Sequence, residues 1–281
     1  MQSVCKTLAL TSIDQNVISN IPIPVPPYKE QRRIASILSN VDELIRKTEQ
    51  IIEQTQRLKK GLMQRLLTKG IKHSKFRKTQ LGYIPEGWEI TSIGEKCKLG
   101  TGGTPSRSNP KYFEGSIPWV KTSEINFKQI NSTEEHISQK ALEESSAKVY
   151  PKGSLLMAMY GQGITRGRTA ILNIDAAINQ AAAAIQSLGD ISIPFLFYWC
   201  QYSYEKIRNI SQGTHQSNLN LDYVSHLKIP CPPLREQESI ENILLGFDSS
   251  LKIKELQRAN LRTLNKDLMR QLVTGKIRVK V

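Results

Sequence analysis

Three short stretches carry the side chains best suited to reading a polar surface. GTHQSN at 213–218 sets His215, Gln216, Ser217 and Asn218 behind a leading glycine. Gln and Asn hold a donor beside an acceptor and can pair bidentately with adenine, while serine serves several bases. YGQGITRGR at 160–168 presents Tyr160, Gln162, Arg166 and Arg168 among glycines. Arginine grips a guanine edge or a phosphate, and glycine lets the backbone approach closely. WVKTSEI at 119–125 adds Lys121, Thr122 and Ser123 as phosphate or base partners. Ser106 and Arg107, in GTGGTPSRS, are weaker candidates because Gly-Thr-Pro-Ser is also ordinary loop chemistry. Each stretch has a plainer reading as a solvated turn, since Gly, Ser and Asn are common turn residues.

The charge points to a polyanionic partner. The 281 residues carry a net +14, concentrated in two blocks: +9 over residues 28–80 and +4 over residues 234–281. The middle, 81–233, is close to neutral at +1, so a few placed cations would do any reading there. A strongly basic chain most often meets nucleic acid, although a solvated lysine-rich helix surface would look the same. The basic run after the first block (Lys69, Lys72, Lys75, Arg77, Lys78) suits salt-dependent attraction to phosphates.

Signatures of catalysis are missing. The chain has no GxxxxGK[ST] phosphate loop and no HExxH, and His73, His136, His215 and His226 lack metal-ligand spacing. Val25-Pro26-Pro27-Tyr28 approaches the (N/D)PPY motif of adenine methyltransferases, but valine cannot hydrogen-bond an amino group as the leading Asn or Asp does. Cys5, Cys97, Cys200 and Cys231 lie far apart with no CxxC pair, which reads as reduced thiols rather than zinc or disulfides. No apolar run approaches the roughly 18–20 residues of a membrane span, and MQSVCKTLAL does not resemble a secretory signal.

Two long helices must position the loops. From Tyr28, the residues Ile34, Val41, Thr48, Thr55 and Leu62 recur seven apart, and Leu38, Ile45, Ile52 and Leu66 follow four later. Ile37, Leu44, Ile51 and Leu58 fill the +3 positions. A seam sustained this long predicts a coiled-coil helix, begun by Pro26-Pro27 and stopped at Gly70. At 1.5 Å per residue it is a rod of about 60 Å. The period returns at Ile240, Phe247, Leu261 and Leu268, flanked by Ile243, Leu244, Leu251, Leu264 and Leu272, with Lys254 expected to interrupt the frame. Between the rods, β-prone runs (Trp88–Ile93, Ile117–Lys121, Ser154–Met159, Thr169–Leu172, Ala182–Gln186) alternate with glycine-rich turns and a helix over Ile193–Arg208. That texture predicts an α+β globular domain, with KHSKFRKTQ before it as a turn-like linker.

The helix starts are duplicated. IPIPVPPYKEQRRI (21–34) and LKIPCPPLREQESI (227–240) match at an offset of 206, pairing Pro26 with Pro232, Glu30 with Glu236 and Gln31 with Gln237. The helix ends match as well, LMQRLLTKGIK (62–72) against LMRQLVTGKIR (268–278). SIDQNVISNIPIPVPP (12–27) aligns with NLNLDYVSHLKIPCPP (218–233), so residues 1–27 read as the closing fragment of a domain like the one that follows. The expected order is domain remnant (1–27), spacer helix with basic linker (28–80), complete domain (81–232) and second spacer helix (233–281).

This arrangement resembles the specificity subunit of type I restriction–modification systems. The family signature IPxPPLxEQxxI stands at Ile229–Ile240 and, in variant form, at Ile23–Ile34. LGYIPEGWEITSIGE (81–95), GTGGTPSRSNPKYFEGSIPWVKTSEI (100–125), LLMAMYGQGITRGRTAILNIDAAINQAAAAI (155–185) and GTHQSNLNLDYV (213–224) match its other blocks in order. The resemblance implies two helices packed as an antiparallel coiled coil, holding target-recognition domains that each read half of a split site in double-stranded DNA. It implies methyltransferase (modification) and restriction (translocase–nuclease) subunits as partners, a cytoplasmic location, no cofactor and no catalysis by the chain itself. The departure is that one recognition domain is complete where the family has two. A fragment, a shortened reading frame and a half-subunit pairing with a second copy all fit. A self-sufficient nuclease or methyltransferase and a purely structural coiled-coil adaptor remain as alternatives.

Overall fold

Proline sets the start of both long helices, because it has no N–H to lose in a first turn. The computed structural model describes residues 14–161, 164–209 and 219–280. In chain order a short helix α1 (Gln15–Ser19) precedes the long helix α2 (Tyr28–Lys69). A hairpin follows, β1 (Phe76–Thr79) and β2 (Gly82–Pro85), then strand β3 (Glu89–Ser92), helix α3 (Ile93–Lys96) and strand β4 (Cys97–Thr101). Strands β5 (Ile117–Val120), β6 (Lys128–Ile130) and β7 (Glu135–Ile137) lead through helix α4 (Gln139–Glu143) to β8 (Val149–Tyr150) and β9 (Leu155–Ala158). Next come β10 (Thr169–Leu172), β11 (Ala176–Ile178) and β12 (Ala182–Ser187). Helices α5 (Ile193–Tyr202), α6 (Tyr204–Asn209) and α7 (Leu221–His226), strand β13 (Lys228–Cys231) and the long helix α8 (Leu234–Val273) follow. The chain divides into two compact units.

One unit holds the described residues up to Gln56 with those from Ser249 onward. Here α2 and α8 run in opposite senses. Asn265 donates to Asp42 at 2.7 Å, Arg262 to Glu49 at 2.5 Å and the Arg278 guanidinium to both Glu30 oxygens at 2.7 and 2.8 Å. On α2 the four-later positions turn inward with the heptad frame, as at Ile52, whereas the +3 residues Leu44 and Ile51 are exposed. Lys254 does not interrupt the second seam. It stays half-buried on the frame with Leu251 and Leu261, its ammonium donating to Gln257 at 3.1 Å.

The other unit, Arg57–Asp248, is the globular domain with the adjoining helix ends. Its larger sheet has the order β4-β12-β9-β10-β6 and its smaller one β7-β5-β11-β8. All four residues of β9 are buried, because both faces of the strand are covered. Leu155 and Met157 join Phe195 and Leu196 of α5 in one core, while Leu156 and Ala158 join Val120 and Ile178 in a second. The basic linker is not turn-like throughout. Residues 76–79 form β1, which pairs with β2 in register Phe76 to Pro85. The expected helix over 193–208 is two helices, broken at Ser203, whose N–H donates to Trp199 O. Among the described residues no helix is long and apolar enough to cross a membrane, and no group of three or more His, Cys, Asp or Glu could hold a metal. Cys97, Cys200 and Cys231 are buried and unpaired, and burial pushes the Cys97 thiol up to about 11.

The duplicated Glu-Gln pair ties down the start of each long helix. Pro233 O accepts from the Glu236 and Gln237 amides, and Gln237 Nε2 reaches back to Pro232 O at 2.7 Å. In the first copy Pro27 O accepts from Glu30 and Gln31, and Gln31 Nε2 returns to Pro26 O at the same 2.7 Å. The Glu236 carboxylate then takes the Ile71 amide at 2.9 Å, the Trp88 indole at 3.0 Å and His73 Nε2 at 2.8 Å. Gly70 lies against this cluster with φ +62°, and a Cβ there would sit 2.4 Å from Glu236 Oε1. Gln237 is fully buried, donating to Asp190 O and accepting from the Ser192 amide. Replacing Glu236 with alanine leaves the Ile71 and Trp88 donors without this acceptor and is expected to cost roughly 2–4 kcal/mol, read from the urea midpoint. The exposed neighbour Glu238, changed to alanine, is expected to shift stability by less than about 0.5 kcal/mol.

Candidate nucleic-acid interface

The strand order brings separated loops to one end of the larger sheet. β9 ends where β12 and β10 begin, Ala182 facing Ala158 and Thr169 facing Met157. β4 also ends there, with Thr101 opposite Ala183. Beyond the ladders, the Met159 amide donates to Ala181 O at 2.8 Å and Gly167 to Ala158 O at 2.8 Å. Phe127 donates to Thr169 O at 2.7 Å, and Leu219 to Met159 O at 3.1 Å. The smaller sheet contributes its own strand ends, because the Asn179 amide donates to Val120 O at 3.1 Å, next to Lys121.

Tyr160, Arg166, Arg168 and Lys121 therefore meet at this end, although up to 47 residues separate them in sequence. Thr122 and Ser123 follow in a single 3-10 turn, Ser123 exposed. Gln162 and the stretch His215, Gln216, Ser217 and Asn218 lie outside the described residues, flanked by Gly161 and Leu219 of the same end. The phosphate candidates Lys72, Lys75, Arg77 and Lys78 do not join them. They sit by the β1–β2 hairpin, where Arg77 Nη2 donates to Trp88 O at 2.7 Å, next to the Glu236 cluster.

The cations at the sheet end differ in their commitments. The Lys121 ammonium lies 2.8 Å from Glu134 and 3.0 Å from Glu135, and its hydrogen bonds to those two carboxylates raise its pKa. Arg107 pairs with Glu135 at 2.7 Å and stacks 4.0 Å over the Phe113 ring, and its hydrogen bond depresses the Glu135 carboxyl. Arg166 donates to Arg208 O at 3.1 Å, while Arg168 and Arg208 each lie 6.0 Å from a ring centroid, of Phe127 and Tyr204 respectively. Three guanidinium groups thus crowd beside two aromatic rings, an arrangement suited to an anion or a stacked base. Buried polar atoms cluster here too: Arg168 Nε, Thr169 Oγ1 and Asn179 Oδ1 have no hydrogen-bond partner among the described residues.

Sequence reasoning missed Thr104, Asn179 and Gln180. The turn between β11 and β12 carries Asn179 and Gln180, and Thr104 donates its hydroxyl hydrogen to Gln180 Oε1. Thr101 Oγ1 shares its hydrogen between Ala182 O at 3.1 Å and Gln180 O at 3.2 Å. The loop after β4 is pressed against this turn, since the Gly103 amide donates to Ile178 O at 3.0 Å and a Cβ on Gly102 would lie 1.8 Å from that oxygen. The available signal was the AINQA stretch inside the block at 155–185, between two buried strands.

Residues 1–57 and 85–262 match the family model of the type I restriction modification DNA specificity domain. The type I restriction enzyme MjaVIII specificity subunit of Methanocaldococcus jannaschii is 30% identical over 291 residues, covering 100% of this chain and 68% of the relative. The EcoR124I/EcoR124II specificity subunit of Escherichia coli is 27% identical over 233 residues, covering 82% of this chain and 55% of its own length. Among solved structures, the HsdS subunit of Thermoanaerobacter tengcongensis superposes with a TM-score of 0.59 at 20% identity, covering 98% of this chain and 66% of that one. The type I S subunit of M. genitalium gives 0.62 at 16% identity, covering 97% and 68%. This chain spans 55–68% of the length of these relatives and structures. With most of its length matched by the family model and a relative at 30% identity along all of it, the chain belongs to the type I restriction–modification DNA specificity family.

Proposed function

We propose that the chain is a non-catalytic DNA-recognition subunit that directs a type I adenine methyltransferase and restriction complex to a bipartite site. The observation that carries this reading is the single sheet end where Tyr160, Arg166, Arg168, Arg208 and Gln180 meet. On this proposal residues 81–232 form the target-recognition domain, and residues 28–80 and 233–281 supply spacer helices packed as an antiparallel coiled coil. Residues 1–27 act as the remnant of a second such domain. The opposed pairs Asp42–Asn265 and Glu49–Arg262 support the helix arrangement. A rigid rod holds two base-reading modules in register better than a loop can. The modification and restriction subunits, and a second copy of the chain, are the partners we assign. Leu44, Ile51 and Leu58, exposed at 42–65% along α2, support docking of one of them. The DNA lies in the cytoplasm, which is where we place the chain.

The decisive experiment maps adenine methylation with and without this chain in the presence of a modification subunit. A bipartite motif that depends on the chain supports the reading, and a palindromic one implies two copies of its domain. Activity of the chain alone on DNA with S-adenosylmethionine or Mg²⁺ would overturn it. The double variant Arg166→Ala/Arg168→Ala is expected to weaken binding of the cognate site tenfold or more and to reduce the salt slope by about two, measured by fluorescence anisotropy at several salt concentrations. Lys121→Ala is expected to have a smaller effect, because Glu134 and Glu135 already hold its ammonium. Leu44→Ser with Ile51→Ser is expected to leave thermal unfolding within about 0.5 kcal/mol of wild type while lowering assembly seen by light scattering.

A further inference from the structure

We infer that Gln180 is a specificity-determining residue that donates to a major-groove acceptor on a base, and that Thr104 is its positioning residue. This rests on the DNA-recognition reading above. Gln180 is exposed at the sheet end, yet both ends of the residue are held. Its backbone carbonyl shares the Thr101 hydroxyl hydrogen with Ala182 O, at 3.2 and 3.1 Å, and its side-chain Oε1 accepts from the Thr104 hydroxyl. The flanking Ala181 carbonyl takes the Met159 amide at 2.8 Å and the Tyr160 amide at 3.4 Å, tying the turn to the half-exposed Tyr160.

Thr104 is itself fixed from behind. Gly103 donates to Ile178 O and accepts the Trp119 indole N–H at 3.1 Å, and Trp119 is buried. A Cβ on Gly103 would lie 2.2 Å from Ser146 Oγ, so the loop has no room to shift inward. A long exposed glutamine ordinarily loses rotamer freedom when it binds. Here the hydroxyl bond has already selected the carboxamide's orientation, so less freedom remains to be lost. With Oε1 engaged by a donor, the amide presents its two N–H groups. The major-groove atoms that match are purine N7, guanine O6 and thymine O4. Cytosine, which offers an amino donor at its groove edge, is the mismatched base.

The test is the methylation motif written by the complex of this chain with its modification subunit, read by single-molecule sequencing. For wild type a defined motif is expected; if none is written, the DNA-recognition reading falls and this inference with it. With a wild-type motif in hand, Gln180→Ala is expected to make one position degenerate, discrimination there dropping about tenfold or more, while the other positions stay fixed. Gln180→Glu, which replaces the donors with a carboxylate, is expected to disfavour the wild-type base and admit cytosine there. Thr104→Val is expected to relax the same position, and Thr104→Ser, which keeps the hydroxyl, to restore it. A motif unchanged in both Gln180→Ala and Thr104→Val overturns the inference. So does a loss of methylation spread evenly over all positions in complexes that assemble and melt like wild type.

Discussion

The Glu236 carboxylate is the contact on which the joint between the end of α2, Trp88 and the start of α8 depends. It accepts from the amide just past the end of α2, from the indole of Trp88 and from His73, so one acid joins a helix terminus, a buried aromatic ring and the start of α8. The last turn of any helix leaves carbonyls unsatisfied and the following backbone unguided. Gly70 takes the left-handed turn that this exit requires and leaves the space the carboxylate occupies. Gln237 then seals the other side, spending its carboxamide on Asp190 and Ser192 at the far end of the sheet from Tyr160 and Arg168.

The first copy of the motif repeats the chemistry with different partners. Glu30 takes the guanidinium of Arg278 and the Val279 amide, where Glu236 takes His73 and the Ile71 amide. Gln31 keeps its bond to Pro26 O but is exposed, as are Ile23 and Val25, whose counterparts Ile229 and Cys231 are buried in β13. The helix-starting part of the motif therefore keeps its hydrogen bond in both copies, while burial around it depends on what packs beside it.

This division explains what was legible in the residues. Helix starts and the Glu-Gln repeat follow from local chemistry, so proline positions and the helical period revealed them. Most of the longer strands were legible as β-prone runs between glycines. The β1 strand was hidden because Phe76–Thr79 carries two cations and reads as a solvated segment. Neither the gathering at the sheet end nor the acids beside Lys121 could be seen, since both depend on strand order: β10 lies next to β9, and Glu135 on β7 lies next to β5. Gln180 was passed over for the same reason. A glutamine in a turn looks ordinary until the loop bearing Thr104 closes against it.

The placement of the Glu-Gln joint and the loops at opposite ends of one sheet has an evolutionary consequence. Strands β9 and β12, buried on both faces, stand between the two ends as a stiff partition. Substitutions in the Tyr160, Arg168 and Gln180 loops touch none of the hydrogen bonds of Glu236 or Gln237, so those loops can change in sequence while the Glu-Gln joint keeps its geometry. A lineage of such chains can therefore vary the loops at one end of the sheet without rebuilding the helix start at the other.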